Sequence, residues 1–336
     1  MRSSRPPPPS FAPEERARIG ILERNLSVAQ RVGRVVRAAA GLEDVAIASD
    51  PATLRDVLSD DPLLLACDVS DVDLALEWSE HRYPNVAICA WSSGSMDALI
   101  DAARAHPRLV SLVGWPAFAS MPRPWEISLA TRRLLDASAS SPRLGDVVLW
   151  GSTIAKYRPR TTDQRDAVVA EVVTLAERAG ASSRLAQRIA EVAHELLMNA
   201  MYDAPLDAAG APRYAHDRKQ EIELDENEVP TFRFAVDGVH VALQCVDPFG
   251  GLRRRHVLDG IVRGRDNVKG HAAVIDTSNG GAGLGLYRIY SQCTVMIVDV
   301  EPGGFSSVST FFDLDVNPRE ARSLPVSLHL WDRSVR

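Results

Sequence analysis

Apolar runs alternate with helical stretches through the first 136 residues of the chain. Five runs predict β-strands, over residues 18–23, 45–49, 63–68, 85–92 and 109–114. After each run, apolar positions recur at helical spacing and predict helices over residues 27–40, 51–58, 72–81, 96–105 and 126–135. The third run is almost entirely apolar, as strands buried on both faces of a parallel sheet are. Five strand–helix units in succession predict a doubly wound parallel sheet.

The second half of the chain has a different rhythm. Residues 137–146 are rich in Ser, Ala, Pro and Gly and predict a linker. Two long helices are predicted over residues 166–179 and 183–202, and a polar stretch with no periodicity follows to residue 229. Asp237 and Gly238 separate two apolar alternations and predict a hairpin of residues 231–236 and 239–246. A variable segment at 252–278, a helix over 284–292 and strands over 294–300 and 307–315 complete a second α/β domain.

Composition sets limits on what the protein does. The 336 residues, 46% hydrophobic and 24% charged, suit two globular cores. The net charge of −6 lacks the positive excess that is typical of nucleic-acid-binding proteins. No apolar run approaches the ~20 residues that a membrane-spanning helix needs. The four cysteines lack metal-ligand spacing and are expected to be buried in a reducing compartment. We therefore expect a cytoplasmic protein that binds neither nucleic acid nor membrane.

These patterns divide the chain into five segments. We expect a disordered tail over 1–14, a first α/β domain over 15–136 and a linker over 137–160. A second domain is expected over 161–316, with a C-terminal tail over 317–336. The four prolines near the N-terminus follow charged residues without an apolar core, which does not fit a secretory signal.

The first candidate chemistry lies on the second long helix of the second domain. Glu195 and Asn199 are four residues apart and project from one helix face. Asn199 could offer its carbonyl oxygen to Mg²⁺, and Glu195 could accept a proton from a group that attacks a γ-phosphate. Taken alone, such a pair is more often a solvated surface. His194, beside Glu195, is either a packing residue, which we favour, or a local helper of Glu195.

Two further motifs follow along the chain. Asp247 ends an apolar strand before Pro-Phe-Gly-Gly, where its carboxylate could accept a hydrogen bond from the exocyclic amine of adenine. An ordinary Asp-Pro turn is the alternative. The segment 279–286 opens a helix, and Gly281, Gly283 and Gly285 leave backbone amides free to bind phosphates there.

The order and spacing of the three motifs resemble the N, G1 and G2 boxes of the GHKL superfamily, which includes gyrase and the histidine kinases. The resemblance covers residues 145–316 and implies a Bergerat-type α/β sandwich that binds ATP and Mg²⁺. It implies that Glu195 is the base and Asn199 the Mg²⁺ ligand. The remaining nucleotide-binding residues implied by the resemblance are Asp247, Gly251, Gly281, Gly283, Leu284 and Gly285. The segment between G1 and G2 becomes the ATP lid, with Lys269 or a lid arginine available to the phosphates.

A departure from the G1 pattern indicates the branch of the superfamily. Phe249 stands where the first glycine of Asp-x-Gly-x-Gly would be, and this form resembles the anti-sigma-factor serine kinases. Pro142 and Pro159 break the short segment before the second domain, which holds no histidine, so the hairpin of a sensor histidine kinase does not fit. The resemblance implies a kinase acting on Ser or Thr of a regulatory protein partner, a sigma factor or its antagonist. A second copy of the chain is an alternative partner.

The first domain resembles a response-regulator receiver domain that has lost its chemistry. Asp68 ends the third predicted strand, where a receiver carries its phospho-acceptor, and Ser92 ends the fourth. Trp115 stands in place of the phosphate-contacting Lys, and Glu23 followed by Arg24 replaces a pair of acids. An indole carries no charge, and one carboxylate beside an arginine makes a poor Mg²⁺ site. We therefore expect a pseudo-receiver, in which Asp68 is either a polar strand end or keeps a residual phosphate role.

Three functions remain open on the sequence. The first is a pseudo-receiver that regulates an ATP-dependent protein serine/threonine kinase. The second is a switch in which ATP binding creates a docking surface without phosphoryl transfer. The third is a simple ATPase. Phe249 and the altered receiver positions add weight to the second function.

Overall fold

The computed structural model describes residues 16–41, 44–117, 119–135, 143–149, 151–207, 210–270, 282–315 and 324–332. The strands in these ranges are β1 (Ile19–Leu22), β2 (Val45–Ala48), β3 (Leu64–Asp68), β4 (Ala87–Ser92), β5 (Leu109–Gly114), β6 (Thr153–Tyr157), β7 (Thr231–Val236), β8 (His240–Asp247), β9 (Val295–Glu301), β10 (Phe305–Asp313) and β11 (Ser327–Asp332). The α-helices are α1 (Leu26–Ala40), α2 (Pro51–Val57), α3 (Val72–His81), α4 (Asp97–Ala105), α5 (Pro124–Leu135), α6 (Leu144–Val147), α7 (Thr162–Arg178), α8 (Ser183–Met198), α9 (Arg254–Val268) and α10 (Ala282–Gln292). The predicted tail over 1–14 lies outside the described residues.

The first half is a parallel sheet with helices on both faces. Its strands lie in the order β2-β1-β3-β4-β5. One face packs against α1 and α5 through a cluster that includes Ile19, Ile21 and Trp91. The other face packs against α2, α3 and α4. The five strands and five helices predicted for this half are confirmed, and each boundary lies within two residues of the prediction.

The second half is a mixed sheet with its main helix layer on one face. The predicted hairpin is formed by β7 and β8, with Gly238 at a φ of 85° in the turn. Strands β9 and β10 form a second antiparallel pair, and β10 also pairs with β8. Helices α7, α8, α9 and α10 pack on one face in a core that continues under the first half. On the other face, α5 and α6 cover a smaller cluster around Phe311 and Trp331.

A C-terminal strand joins the two halves into one sheet of eleven strands within the described residues. Residues 317–336 were expected to form a tail, but β11 lies between β5 and β9. It runs antiparallel to β5, where Leu328 is opposite Leu112, and parallel to β9. The approach needs a glycine at position 114, because a Cβ there would lie 2.6 Å from the carbonyl oxygen of Pro325. The described residues therefore form one continuous mixed α/β architecture.

Buried polar contacts cross the junction between the halves. Arg133 on α5 donates from Nη2 to both carboxylate oxygens of Asp299 on β9, at 2.8 and 2.9 Å. His329 on β11 lies between two groups of the first half: its Nδ1 is 3.1 Å from Ser111 Oγ, and its Nε2 is 3.0 Å from Glu126 Oε1. All five side chains are buried. Because buried charges need their partners, these contacts fix how the halves meet.

Three more elements differ from the sequence-based expectations. The expected linker over 137–160 contains α6 and β6, and β6 pairs with β7 at the edge of the sheet. The variable segment contains α9, which packs closely on α10: a Cβ on Gly264 would lie 2.2 Å from Cγ of Tyr287. The helix predicted to reach residue 202 ends at Met198 and continues as a π-helical turn, Asn199–Asp203.

The four cysteines are buried and unbridged, as expected. Across the described ranges, no helix has the length and apolar character needed to cross a membrane.

We expect the Arg133–Asp299 pair to carry much of the stability of the junction. Arg133→Met leaves the Asp299 carboxylate buried without this cation and should lower the free energy of unfolding by about 3–5 kcal/mol, measured by urea denaturation. Arg132→Met, at the exposed neighbouring position, is the control and should change it by less than about 0.5 kcal/mol. Equal stability of the two variants would contradict this role of the pair.

Candidate functional site

Helix α8 carries Glu195 at its buried C-terminal end. The helix begins after Ser182, whose hydroxyl accepts a hydrogen bond from the Leu185 amide at 3.3 Å. Its apolar face packs into the main core, and the Glu195 side chain is also buried. The helix then widens into the π-helical turn that begins with the half-buried Asn199. π-Helical turns are rare in proteins overall, and those that occur are often found at functional sites.

Helix α10 brings a predicted glycine against this pair. A Cβ on Gly285 would lie 2.8 Å from Glu195 Oε2 and 3.5 Å from Asn199 Oδ1. One turn further along α10, Arg288 Nη1 lies 2.8 Å from Glu195 Oε1. The structure therefore brings Glu195 and Asn199 of the first motif together with Gly285 of the third. It adds Arg288, which the sequence analysis did not single out.

Asp247 ends β8 in a tight turn. Its Oδ1 accepts a hydrogen bond from the Phe249 amide at 2.9 Å. Gly250 has a φ of 61° and lies against the turn between β9 and β10, because a Cβ there would be 2.2 Å from the Glu301 carbonyl oxygen. Gly251 is exposed, with open space on its Cβ side. Strand β8 packs against α8 and the π-helical turn, so Asp247 ends a strand that adjoins the Glu195 helix.

The electrostatic environment of Asp247 differs from that of an ordinary surface acid. Burial raises the pKa of its carboxyl group to about 6, although hydrogen bonds from the Phe249 amide and the Ser306 hydroxyl oppose the rise. A carboxyl group with a raised pKa beside an open glycine is a candidate ligand-binding group. This arrangement fits both the adenine-binding interpretation and a well-packed Asp-Pro turn.

The structure describes the remaining predicted nucleotide-binding residues to different extents. Gly281 lies outside the described residues, and Gly283 is described only as backbone in the first turn of α10. Leu284 is half-buried in the same turn. Lys269 follows α9, and its Nζ lies 2.6 Å from Asp97 Oδ2 on α4, so its charge is directed at the first half.

Further charged residues lie on helix α8 and in the π-helical turn that follows it. Asp203, four residues after Asn199, pairs with Arg218, whose Nε lies 3.2 Å from Asp203 Oδ1. Burial raises the pKa of Asp203, and Arg218 opposes the rise. Burial, with the positive charge of Arg165, lowers the pKa of His194. A neutral His194 near pH 7 fits the packing role that we favoured.

The predicted receiver positions are placed at the carboxyl edge of the parallel sheet. Glu23 is buried, and its two carboxylate oxygens accept hydrogen bonds from the Asn25 amide and the Trp91 indole, both at 2.8 Å. Arg24 Nε lies 3.1 Å from Asp71 Oδ2, in a pair whose carboxylate is buried. The acids at this edge are therefore engaged in structural contacts.

The other three positions make local contacts. Asp68 Oδ1 accepts a hydrogen bond from the Ser70 amide at 3.0 Å, and Ser92 Oγ accepts one from the Gly94 amide at 3.1 Å. Trp115 is half-buried, and its backbone amide donates to the Ser92 carbonyl oxygen. In the part of the chain that the structure describes, no three or more His, Cys, Asp or Glu side chains form a group that could hold a metal.

Comparisons with known proteins give a distant structural likeness. No protein-family model matches the chain, and no curated protein matches it. The crystal structure of the SiaB-SiaC complex from Pseudomonas aeruginosa aligns with 48% of this chain and 88% of its own, with 14% identity and a TM-score of 0.29. At this identity and TM-score the likeness is a distant one.

We expect Asp247 to make the stability of the protein depend on pH. Its pKa rises from 3.8 to about 6 on folding, so the folded state holds the proton more tightly, and stability falls as pH rises from about 4 to about 6. The full effect is at most about 3 kcal/mol. Asp247→Asn cannot titrate, so the stability of the natural protein relative to this variant should fall across that window and stay level above it. Parallel pH profiles in urea denaturation would contradict the raised pKa.

Proposed function

We propose that the second half binds ATP and Mg²⁺ between α8, the end of β8 and the start of α10, and transfers the γ-phosphoryl group to Ser or Thr of a regulatory partner protein. The close approach of Gly285 to both Glu195 and Asn199 carries this proposal. It places a candidate proton acceptor and a hard oxygen ligand beside a helix that begins in a glycine-rich segment. Helix N-termini favour phosphate because their amides are unpaired.

Each described residue of the site has a chemical task that it can perform. The amide oxygen of Asn199 is a suitable Mg²⁺ ligand, and Mg²⁺ would neutralise negative charge on the phosphates. Glu195 would accept the proton of the attacking hydroxyl group. Asp247 would accept a hydrogen bond from the adenine amine, and this contact favours its charged form. The order of these residues along the chain, together with the GHKL resemblance, supports phosphoryl transfer of the kind expected for the serine kinase branch of that superfamily.

We further propose that the first half is a pseudo-receiver that regulates this site through α4. Arg254 at the start of α9 donates from Nη2 to the carbonyl oxygens of Ala103 and Leu109, both at 2.7 Å. The first of these carbonyls lies in the last turn of α4, whose unpaired carbonyls favour a cation. Because α9 packs tightly on α10, a movement of α4 would be transmitted through α9 to α10, the helix that contains Gly285.

Ion pairs extend the contact between α4 and α9. Arg265 Nη2 lies 3.0 Å from Asp101 Oδ1, and Lys269 pairs with Asp97. These pairs are partly exposed, so each contributes about 0–1 kcal/mol and is weakened by salt. A contact made of weak, exposed pairs is suited to adjustment by a partner protein.

A second function is favoured by one specific observation. The Glu195 carboxylate is paired with Arg288, so the candidate base is engaged by a cation. A protein in which ATP binding only rearranges α9 and α10, without phosphoryl transfer, would suit this pairing and the Phe249 departure.

Calorimetry with Mg-ATP tests the site directly. Asp247→Asn should weaken binding by roughly tenfold or more, because an amide can present a donor to the adenine amine. Asn199→Ala should lose the Mg²⁺ dependence of binding. Glu195→Gln should still bind ATP, because a base acts on the attacking group and not on the bound nucleotide.

Labelled phosphate then separates the functions. With γ-labelled ATP and a co-purifying partner, transfer to the partner that is lost in Glu195→Gln supports the kinase. Binding without any transfer supports the switch, and release of free phosphate supports a simple ATPase. A natural protein that binds no nucleotide in the presence of Mg²⁺ would contradict all three.

We expect the α4 contact to affect nucleotide affinity. Asp97→Asn combined with Asp101→Asn removes the carboxylate charges that hold Arg265 and Lys269, and should weaken ATP binding about threefold. High salt should reduce the difference from the natural protein, because it screens the same pairs. Asp73→Asn, an exposed change on α3 of the same half, is the control. If the double variant and the control bind ATP equally at low salt, α4 does not regulate the site.

A further inference from the structure

We propose that Arg288 gives the nucleotide site its preference for a triphosphate. In the structure its guanidinium group is paired with the Glu195 carboxylate. When ATP binds, the guanidinium group moves onto the terminal phosphate and leaves the carboxylate free to accept a proton. This inference rests on the proposed nucleotide site and adds a residue that none of the three sequence motifs contains.

The two sides of the ion pair differ in mobility. Arg288 Nη1 lies 2.8 Å from Glu195 Oε1, and the arginine side chain is 63% exposed whereas that of Glu195 is 11% exposed. Glu195 is also confined on its second oxygen by Gly285. The carboxylate is therefore fixed in place, and the guanidinium group is free to move into solvent or onto a ligand.

The position of Arg288 on α10 allows it to reach the phosphates. Side chains on an α-helix lean toward its N-terminus. Arg288 is six residues after Ala282, the first residue of α10, which corresponds to about 9 Å along the helix axis. Gly285 lies between them on the same side and carries no side chain that would block the path.

The energetics favour transfer of the guanidinium group to phosphate. The pair is exposed to water only on its arginine side, where the guanidinium group keeps most of its hydration and can leave the carboxylate. A terminal phosphate presents more negative charge and can accept two parallel hydrogen bonds from a guanidinium group. Binding of ATP would thus replace the weaker partner by the stronger one. A diphosphate, which lacks the outermost group, would leave Arg288 on Glu195.

Other cations fit this task less well. Lys269, which the sequence nominates, is paired with Asp97 of the first half, and Arg218 is paired with Asp203. Arg288 differs from both because its partner is the proposed base itself. Its movement would therefore couple the presence of the terminal phosphate to the state of the base.

The affinities of Arg288→Gln for Mg-ATP and Mg-ADP test this inference. Calorimetry should show ATP binding weakened about tenfold and ADP binding changed less than about twofold, so the ATP preference of the natural protein is lost. Arg158→Gln is the matched control, because Arg158 forms an exposed pair with Glu226 at the same distance of 2.8 Å. It should leave both affinities unchanged. If both variants unfold thermally at the same temperature as the natural protein, they keep its fold.

The outcomes separate this inference from the proposed function. If the natural protein binds ATP and Arg288→Gln changes neither affinity, the role of Arg288 is wrong and the nucleotide site stands. If Arg288→Gln weakens both nucleotides equally, Arg288 does not sense the terminal phosphate, and the inference is again overturned. If the natural protein binds neither nucleotide, the proposed function fails and this inference fails with it.

Discussion

The structure depends on the insertion of β11 between β5 and β9. Each of those strands would otherwise present unpaired backbone amides and carbonyls, which are costly to bury and prone to pairing with other chains. By pairing with both, β11 places α5 over the second half, where Arg133 meets Asp299. It also aligns α4 with α9 on the opposite face. The contact between the first half and the proposed nucleotide site is therefore a consequence of one short strand.

Two kinds of contact with different energies cross between the halves. The buried contacts of Arg133 and His329 are expensive to break, because each leaves a polar group without its partner inside the protein. The α4–α9 ion pairs are exposed and individually weak. The first set fixes the sheet, and the second can change without unfolding it. With Glu23 and Arg24 engaged in structural contacts, the regulation proposed for the first half would act through its surfaces rather than through phosphorylation.

The sequence predicted the parts of the fold that have a strong local signal. Strands of the first half are apolar runs, and the turn at Asp237 and Gly238 has a composition specific to hairpins. It did not predict β11, where the polar Ser327 and His329 are buried by partners distant in sequence, nor β6, an edge strand with little apolar pattern. Helix α9 was missed because glycines and arginines interrupt its apolar face, although Gly264 is required by close packing. In the site, helical spacing and glycine placement identified Glu195, Asn199 and Gly285. Arg288 was missed because an ion pair between two helices has no local sequence signal.

Hydrogen exchange measured by mass spectrometry, with and without saturating Mg-ATP, is the most direct test of the proposed nucleotide site and of its coupling to the first half. It reports on the nucleotide site and on the first half in the same experiment. We predict that ATP slows exchange at the end of β8 and in α10, and that exchange in α4 also changes, because α9 links α4 to α10. Unchanged exchange in all three segments would contradict the nucleotide site. Protection confined to β8 and α10 would contradict the proposal that the first half responds to it.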